Sequence, residues 1–478
     1  MTNPASRIES TDESLRWRTL LLLFSLLLIA QGFYFFHQTG SAPVAPFLAI
    51  EIALAGPILF AAARTIALKW ASLYLTQIGI AYGATLFFIE NWTVWGRNVL
   101  VNESTLTDAL AVAAVGVASA ALGIIWGSRQ RLQNLKQQEP LSFGPLWGSW
   151  LWWLLSYAAT ISVNQLWNPG SLGYLGIMMA HWPLTSILAL DILARSGRAP
   201  VQVKRFAWWA LVPFRMILNL GTGFVGFVMN EGIVLLFYLT MRRVIRIRIY
   251  GVLICGTLLI LAYGVRSYIR ESIWIQDEGP KSRIAITVTA IEAMWNSSWI
   301  EGYLELLKSL GANRLGHYVL VAHTVVVQDT PESIPYLYGE SFSQLLWTIV
   351  LRVLYPEKPI ESWGQEFGHR YRLLAPTDDQ TSFNFPQLTE FYANGGIGLV
   401  LILMYFVSIV VHRVALWTER LERDSADVLW LILPLVFGAL TQAFSNLSLS
   451  VNAAVYNAMI LGIPTLITSR INREGGTM

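Results

Sequence analysis

Runs of about twenty apolar residues, joined by short linkers of which every second one collects arginine and lysine, constrain this chain more than any single motif does. Of its 478 residues, 54% are hydrophobic and 13% are charged, too few charges to clothe a water-soluble surface of that size. The fold class this predicts is an all-α polytopic membrane protein. The first run, Leu20 to Ile29, follows Arg16 and Arg18. The bulky stretch from Gln31 to His37 offers no clean small-residue cleavage site, so the run reads as a retained helix rather than a signal peptide. Cys255 is the single cysteine and excludes an intrachain disulfide or a cysteine-based metal site. A net charge of +3 is too small to imply a nucleic-acid partner.

Basic linkers belong on the cytoplasmic side, and that rule sets the topology. Arg7, Arg16 and Arg18 place the N-terminus inside. Spans are expected near residues 17–36, 43–63, 68–89, 107–127, 145–165 and 171–193. Between them the linkers alternate: Arg64 and Lys69 inside, Arg97, Glu103 and Asp108 outside, Arg129, Arg131 and Lys136 inside, Asn164 to Gly170 outside, and Arg195 to Arg205 inside. Phe206 to Met241 would be about 54 Å long as one helix against a hydrocarbon core of about 30 Å, and Arg242 to Arg248 after it also belong inside. It is therefore expected to cross twice, turning at Gly221 to Gly223. A span at 251–268 leads out, one near 391–411 returns, and two more near 428–446 and 452–468 end at Arg470 and Arg473. The expectation is about twelve transmembrane helices with both termini cytoplasmic. Residues 1–268 would hold the first nine, 269–389 a large exterior (periplasmic) loop, and 390–478 the last three.

A loop of that length is usually functional. Ile284 to Leu310 reads as an amphipathic helix, and Ser343 to Tyr355 as a second, apolar except for Arg352 and stopped by Pro356. Outside the membrane there is no nucleotide-activated donor, so a transferase there must draw on a donor carried by lipid phosphate or pyrophosphate. Arginine suits such groups because its planar guanidinium forms paired, charge-assisted hydrogen bonds. The exterior cations are Arg266, Arg270, Arg283, Arg314, Arg352, Lys358, Arg370 and Arg372; most of a set like this pairs with acids or reaches lipid headgroups.

Three stretches of the last third carry a resemblance: "PYLYGESF" (335–342), "LRVLYPEKP" (351–359) and "FPQLTEFYANGGIGLV" (385–400). In this order they resemble the motifs of bacterial O-antigen and exopolysaccharide polymerases of the Wzy type, at Gly339, Ser341 and Phe342, then Arg352, Pro356, Lys358 and Pro359, then Glu390, Asn394, Gly396 and Gly398. The resemblance implies a metal-independent, inverting glycosyltransferase without cofactor. It would move a growing glycan from undecaprenyl pyrophosphate onto the next lipid-linked repeat unit, at the outer face of the bacterial cytoplasmic membrane. Its partners would be that lipid-linked oligosaccharide, membrane lipids and, as a further candidate, a chain-length-regulating copolymerase. "SFNFPQL" lacks the histidine that the related O-antigen ligases carry near this point.

Such a reaction needs cations on the departing pyrophosphate and a well-placed acceptor hydroxyl. Arg352 is the first candidate, supported by Arg266, Arg270, Arg314, Lys358 and Arg370. Glu390 or His369 is the candidate base. The alternatives are an acid that orients the helix beginning near Phe391 and a surface histidine. Tyr336, Tyr338, Phe342, Trp347, Trp363 and Tyr371 suit either sugar stacking or an interfacial belt, with Tyr338 the candidate for substrate. Within the membrane, Arg215 and Glu231 flank the Gly221 turn at similar distance and are expected to pair, whereas Glu51 and Asp191 have no evident partner. A ligase and a lipid-oligosaccharide flippase are the competing readings.

Overall fold

A computed structural model of the chain describes residues 22–34, 44–88, 93–94, 97–98, 103–129, 143, 148–166, 174–220, 225–246, 292, 319–347, 350, 355, 357, 362–379, 381–383, 385–422 and 428–459. Helices occupy every apolar segment expected to span except 251–268, which lies outside the described residues. In chain order they are α1 (Leu22–Tyr34), α2 (Val44–Ala62), α3 (Ile66–Tyr82), α4 (Glu103–Arg129), α5 (Trp150–Leu166), α6 (Tyr174–Arg195), α7 (Val201–Phe206), α8 (Val212–Leu220), α9 (Val225–Met241), α10 (Ala322–Asp329), α11 (Ser343–Trp347), α12 (Trp363–Arg370), α13 (Gln387–Arg420), α14 (Leu429–Leu440) and α15 (447–459). One pair of two-residue antiparallel strands, Thr93–Val94 with Arg97–Asn98, departs from the all-helical expectation.

Among the described residues three helical stretches are long and apolar enough to cross a membrane: Val44–Ala62, Ser104–Ser128 and Gln387–Arg420. α2 exposes Phe47, Ile50 and Leu54, and α13 exposes Ile402, Phe406 and Val410. Each set runs along one face of its helix, an outer surface suited to hydrocarbon and costly in water.

The centre of the bundle is α4, built from alanine, glycine, valine and serine and packed against α2, α3, α10 and α13. Small residues let backbones approach closely where lipid removes the hydrophobic drive between helices. A Cβ on Gly123 would lie 2.3 Å from the Tyr405 carbonyl oxygen of α13, and one on Gly79 of α3 2.5 Å from the Ile52 carbonyl oxygen of α2. The Ser119 hydroxyl also bonds the Leu401 carbonyl oxygen. An aromatic joint of Trp70, Phe237 and Phe437 ties α3, α9 and α14, with Trp70 Nε1 donating to Thr240 Oγ1 at 2.7 Å.

α13 is broken. Gly395 (φ −166°, ψ 26°) and Gly396 (φ 67°, ψ −163°) leave the helical region, and Gly396 takes a left-handed φ that glycine adopts at little cost. A Cβ on Gly116 of α4 would lie 2.5 Å from Leu388 Cδ1 and 3.1 Å from Val400 Cγ1. In a straight helix those two residues would stand about 18 Å apart along the axis. The chain therefore bends sharply between the leg before the break and the leg after it. The expectation of one uninterrupted span beginning near Phe391 is corrected accordingly: the helix starts at Gln387, inside the bundle, and turns at the two glycines.

The described part of 269–389 shares this core. Val319 to Val327 are buried against α4, and Phe367, Tyr371, Phe383 and Phe385 pack together just ahead of α13 in sequence. Of the helix expected at Ser343 to Tyr355, Ser343–Trp347 is helical, and Tyr355 stacks on Trp347 at 5.5 Å. The amphipathic helix expected at Ile284 to Leu310 lies outside the described residues, save Glu292.

Candidate functional site

The break in α13 frees two carbonyls. In an unbroken helix the Ala393 and Asn394 oxygens would accept from the amides of residues 397 and 398. Here they accept from Leu337 N at 2.9 Å and Tyr338 N at 3.0 Å. Side chains complete the junction. Asn394 Oδ1 accepts from Gly339 N at 2.9 Å, and Asn394 Nδ2 donates to Ser341 Oγ at 2.9 Å and to the Glu390 carbonyl oxygen at 2.8 Å. Ser341 Oγ donates to Glu390 Oε1 at 2.7 Å, while Glu390 Oε2 accepts from Leu447 N at 2.6 Å, at the start of α15. Ser448 Oγ bonds the Ser341 carbonyl oxygen at 3.0 Å. A carboxylate at the first amide of a helix is favoured by the helix dipole.

Glu390, Ser341 and Asn394 are at most 1% exposed. Glu390 thus acts as a clamp joining the 337–342 turn, the broken helix and α15. The turn's own geometry is strained at one point. Tyr338 has φ 47° and is followed by Gly339 at φ 90°. The Tyr338 ring is 81% exposed, whereas the neighbouring Tyr336 ring turns inward, its hydroxyl meeting that of Tyr392 and crowding Gly396. Burial raises the Tyr336 and Tyr371 hydroxyls above the ordinary tyrosine range, so both remain protonated.

Arg370 reaches the same rim: its Nη2 donates to the Pro335 carbonyl oxygen at 2.8 Å. His369, beside it at the end of α12, is half-buried. The structure therefore brings Tyr338, Arg370 and Glu390 to one loop and helix break. Arg352, Lys358, Arg266, Arg270 and Arg314 lie outside the described residues.

A second polar chain runs behind the clamp. His323 Nε2 meets the Ala109 carbonyl oxygen at 3.1 Å, which makes that nitrogen the donor and leaves Nδ1 to accept from Thr389 Oγ1 at 3.1 Å. Tyr82 OH meets the same threonine hydroxyl at 2.9 Å. Burial pushes the His323 imidazole down to about 3, so it is neutral. His323 falls in the stretch 269–389 expected outside the membrane, and its valine- and alanine-rich neighbours were the available signal that it is buried.

The charges expected within the membrane find partners. Arg215 Nη2 donates to Glu231 Oε1 at 2.8 Å, and Asn219 Nδ2 to Glu231 Oε2 at 2.7 Å, as the symmetric spacing about the turn predicts. Asp191 does have partners: Arg195 Nε at 2.6 Å, Tyr238 OH at 2.6 Å and Trp208 Nε1 at 2.8 Å. The arginine one turn on was legible in sequence. Trp208 was not, since it arrives through a π-helical turn at Ala207–Leu211. Glu51 bonds Gln31 of α1.

No family model, curated protein or solved structure matches this chain.

Proposed function

We propose that this protein is a membrane-embedded glycosyltransferase. It polymerises undecaprenyl-pyrophosphate-linked oligosaccharide repeat units into O-antigen or exopolysaccharide at the outer face of the bacterial cytoplasmic membrane. The observation that carries the reading is the junction between two of the three motif stretches. Gly339 and Ser341 from one, and Glu390, Asn394 and Gly396 from the other, meet at a single break in a membrane helix, some fifty residues apart in sequence. Residues chosen by a resemblance need not meet in space; these do, through buried hydrogen bonds.

In this reading the junction is the scaffold, and the third stretch, with Arg352 and Lys358, supplies cations to the departing pyrophosphate together with Arg266, Arg270, Arg314 and Arg370. His369 is the base candidate with solvent access, and Glu390 shapes the site. The twelve-helix topology with both termini cytoplasmic belongs to the same proposal. Broken helices also mark substrate sites in transporters, which makes a lipid-oligosaccharide flippase the second reading. A turn clamped so firmly onto the break favours the transferase, because a flippase must move the elements around its site.

The polysaccharide made by cells lacking this protein separates the readings. Loss of long chains with one lipid-linked repeat unit retained is the expected result. Repeat units held at the cytoplasmic face would identify a flippase, and long chains left unattached to their acceptor a ligase.

A further inference from the structure

Tyr338 combines three properties that rarely coincide. It is a large aromatic residue 81% exposed, it holds a left-handed φ of 47°, and hydrogen bonds fix it on both sides, from its own amide to the Asn394 carbonyl oxygen and from the Gly339 amide to Asn394 Oδ1. A tyrosine in that backbone region is strained, where glycine would be at ease. Strain of this kind persists where the surroundings over-determine the conformation, and it gathers at ligand sites. The other aromatic candidates of this region are disposed differently: Trp363 and Tyr371 are buried, Tyr336 lies between the Tyr338 and Tyr392 rings, Phe342 packs on Phe391, and the Trp347 ring is stacked on Tyr355. Pro335 and Glu340, close to Tyr338 in sequence, are exposed as well, and Arg370 Nη2 bonds the Pro335 carbonyl oxygen, so charged side chains share this rim.

We propose that Tyr338 is a carbohydrate platform whose ring face stacks on a sugar of the lipid-linked repeat unit, and that Asn394 is the positioning residue that holds it there. The inference rests on the glycosyltransferase reading and names the part of the substrate that this rim takes. An aromatic ring offers a sugar its face, against which the axial C–H groups pack, and a hydroxyl at its edge. Asn394 holds the turn that carries the ring through three contacts, to Tyr338 N, Gly339 N and Ser341 Oγ.

The test uses the full-length protein in nanodiscs. The ligand is the water-soluble oligosaccharide repeat unit released by mild acid from the host's own lipid-linked pool, with binding read by saturation-transfer NMR and polymerisation assayed beside it. Tyr338→Ala is expected to weaken binding and raise KM about 10-fold, and Tyr338→Trp to stay within about 3-fold of wild type. Tyr338→Gly separates platform from structural element: it should weaken binding as alanine does while raising the thermal midpoint by about 1–3 °C, because the left-handed strain is relieved. Unchanged glycan affinity in the alanine and glycine variants of a protein that binds and polymerises overturns the platform and leaves the enzyme reading standing. A lowered thermal midpoint with unchanged affinity overturns it too, as an interfacial belt residue would behave. A wild-type protein that neither binds the repeat unit nor polymerises it overturns both.

Discussion

Glu390 and His323 are both buried and hydrogen-bonded on two sides. Glu390 accepts from Ser341 and from the Leu447 amide, so glutamine in its place would turn an NH2 group toward one of two donors. Glu390→Gln is expected to destabilise the protein by about 2 kcal/mol, seen as a lower thermal midpoint in detergent. A dedicated base would instead lose about 10²- to 10⁴-fold in rate at an unchanged midpoint. His323 is neutral in the folded protein because burial pushes it down to about 3, whereas an unfolded histidine takes a proton below about 6.5. The unfolded state therefore binds the extra proton, and stability that is complete above about pH 6.5 falls as the pH drops toward 3, by up to about 1.4 kcal/mol per pH unit. Thermal midpoints at pH 7.5 and pH 5 should diverge more for wild type than for His323→Gln. Equal shifts in the two proteins would contradict this.

At the scale of the element, α13 is two helices joined by Gly395 and Gly396, and its glycines differ in what they permit. Alanine at Gly396 meets a left-handed φ and the Tyr336 hydroxyl 2.8 Å from its Cβ, whereas alanine at Gly398 meets nothing within 4 Å. Gly396→Ala should cost about 2 kcal/mol or more and loosen the 337–342 turn. Gly398→Ala should stabilise by about 0.4–1 kcal/mol, the ordinary gain of alanine over glycine in a helix. Thermal midpoints of the two variants, measured side by side, check both signs. The C-terminal end of the same helix serves a neighbour: Glu419 accepts from the Ile66 and Ala67 amides at 3.1 Å and caps α3, beside the Thr65 side-chain cap.

Across the whole molecule, charge inside the bundle works as paired joints. Arg215 on α8 and Glu231 on α9 lie at most a tenth exposed and bond each other with Asn219 as a second donor. Removing one partner strands a buried charge, which costs about 3–5 kcal/mol, while replacing both by apolar residues of similar volume is often near neutral. Arg215→Leu and Glu231→Leu should each lower the thermal midpoint more than the double substitution does. Additive losses would instead mean that the two residues act separately. The Asp191 cluster gathers α6, the π-helical turn and α9 in the same manner, and the Arg242 guanidinium beside it lies 4.3 Å from the Trp430 ring of α14.

Local order along this chain follows from its residues. Apolar runs of membrane length can satisfy their backbone only as helices, so the described helical segments and the pairing of Arg215 with Glu231 were legible from hydropathy and charge alone. Glu390, Ser341 and Asn394 were legible as a set from their motifs, but as separate stretches. Their meeting, the sharp bend of α13, the burial of His323 and the exposure of Tyr338 were decided by tertiary structure. Each depends on which distant backbone comes near enough to accept a hydrogen bond or exclude water. "ANGG" reads as a helix start whether or not the carbonyls of Ala393 and Asn394 find new donors, and only the packing of the 337–342 turn against them makes it a break.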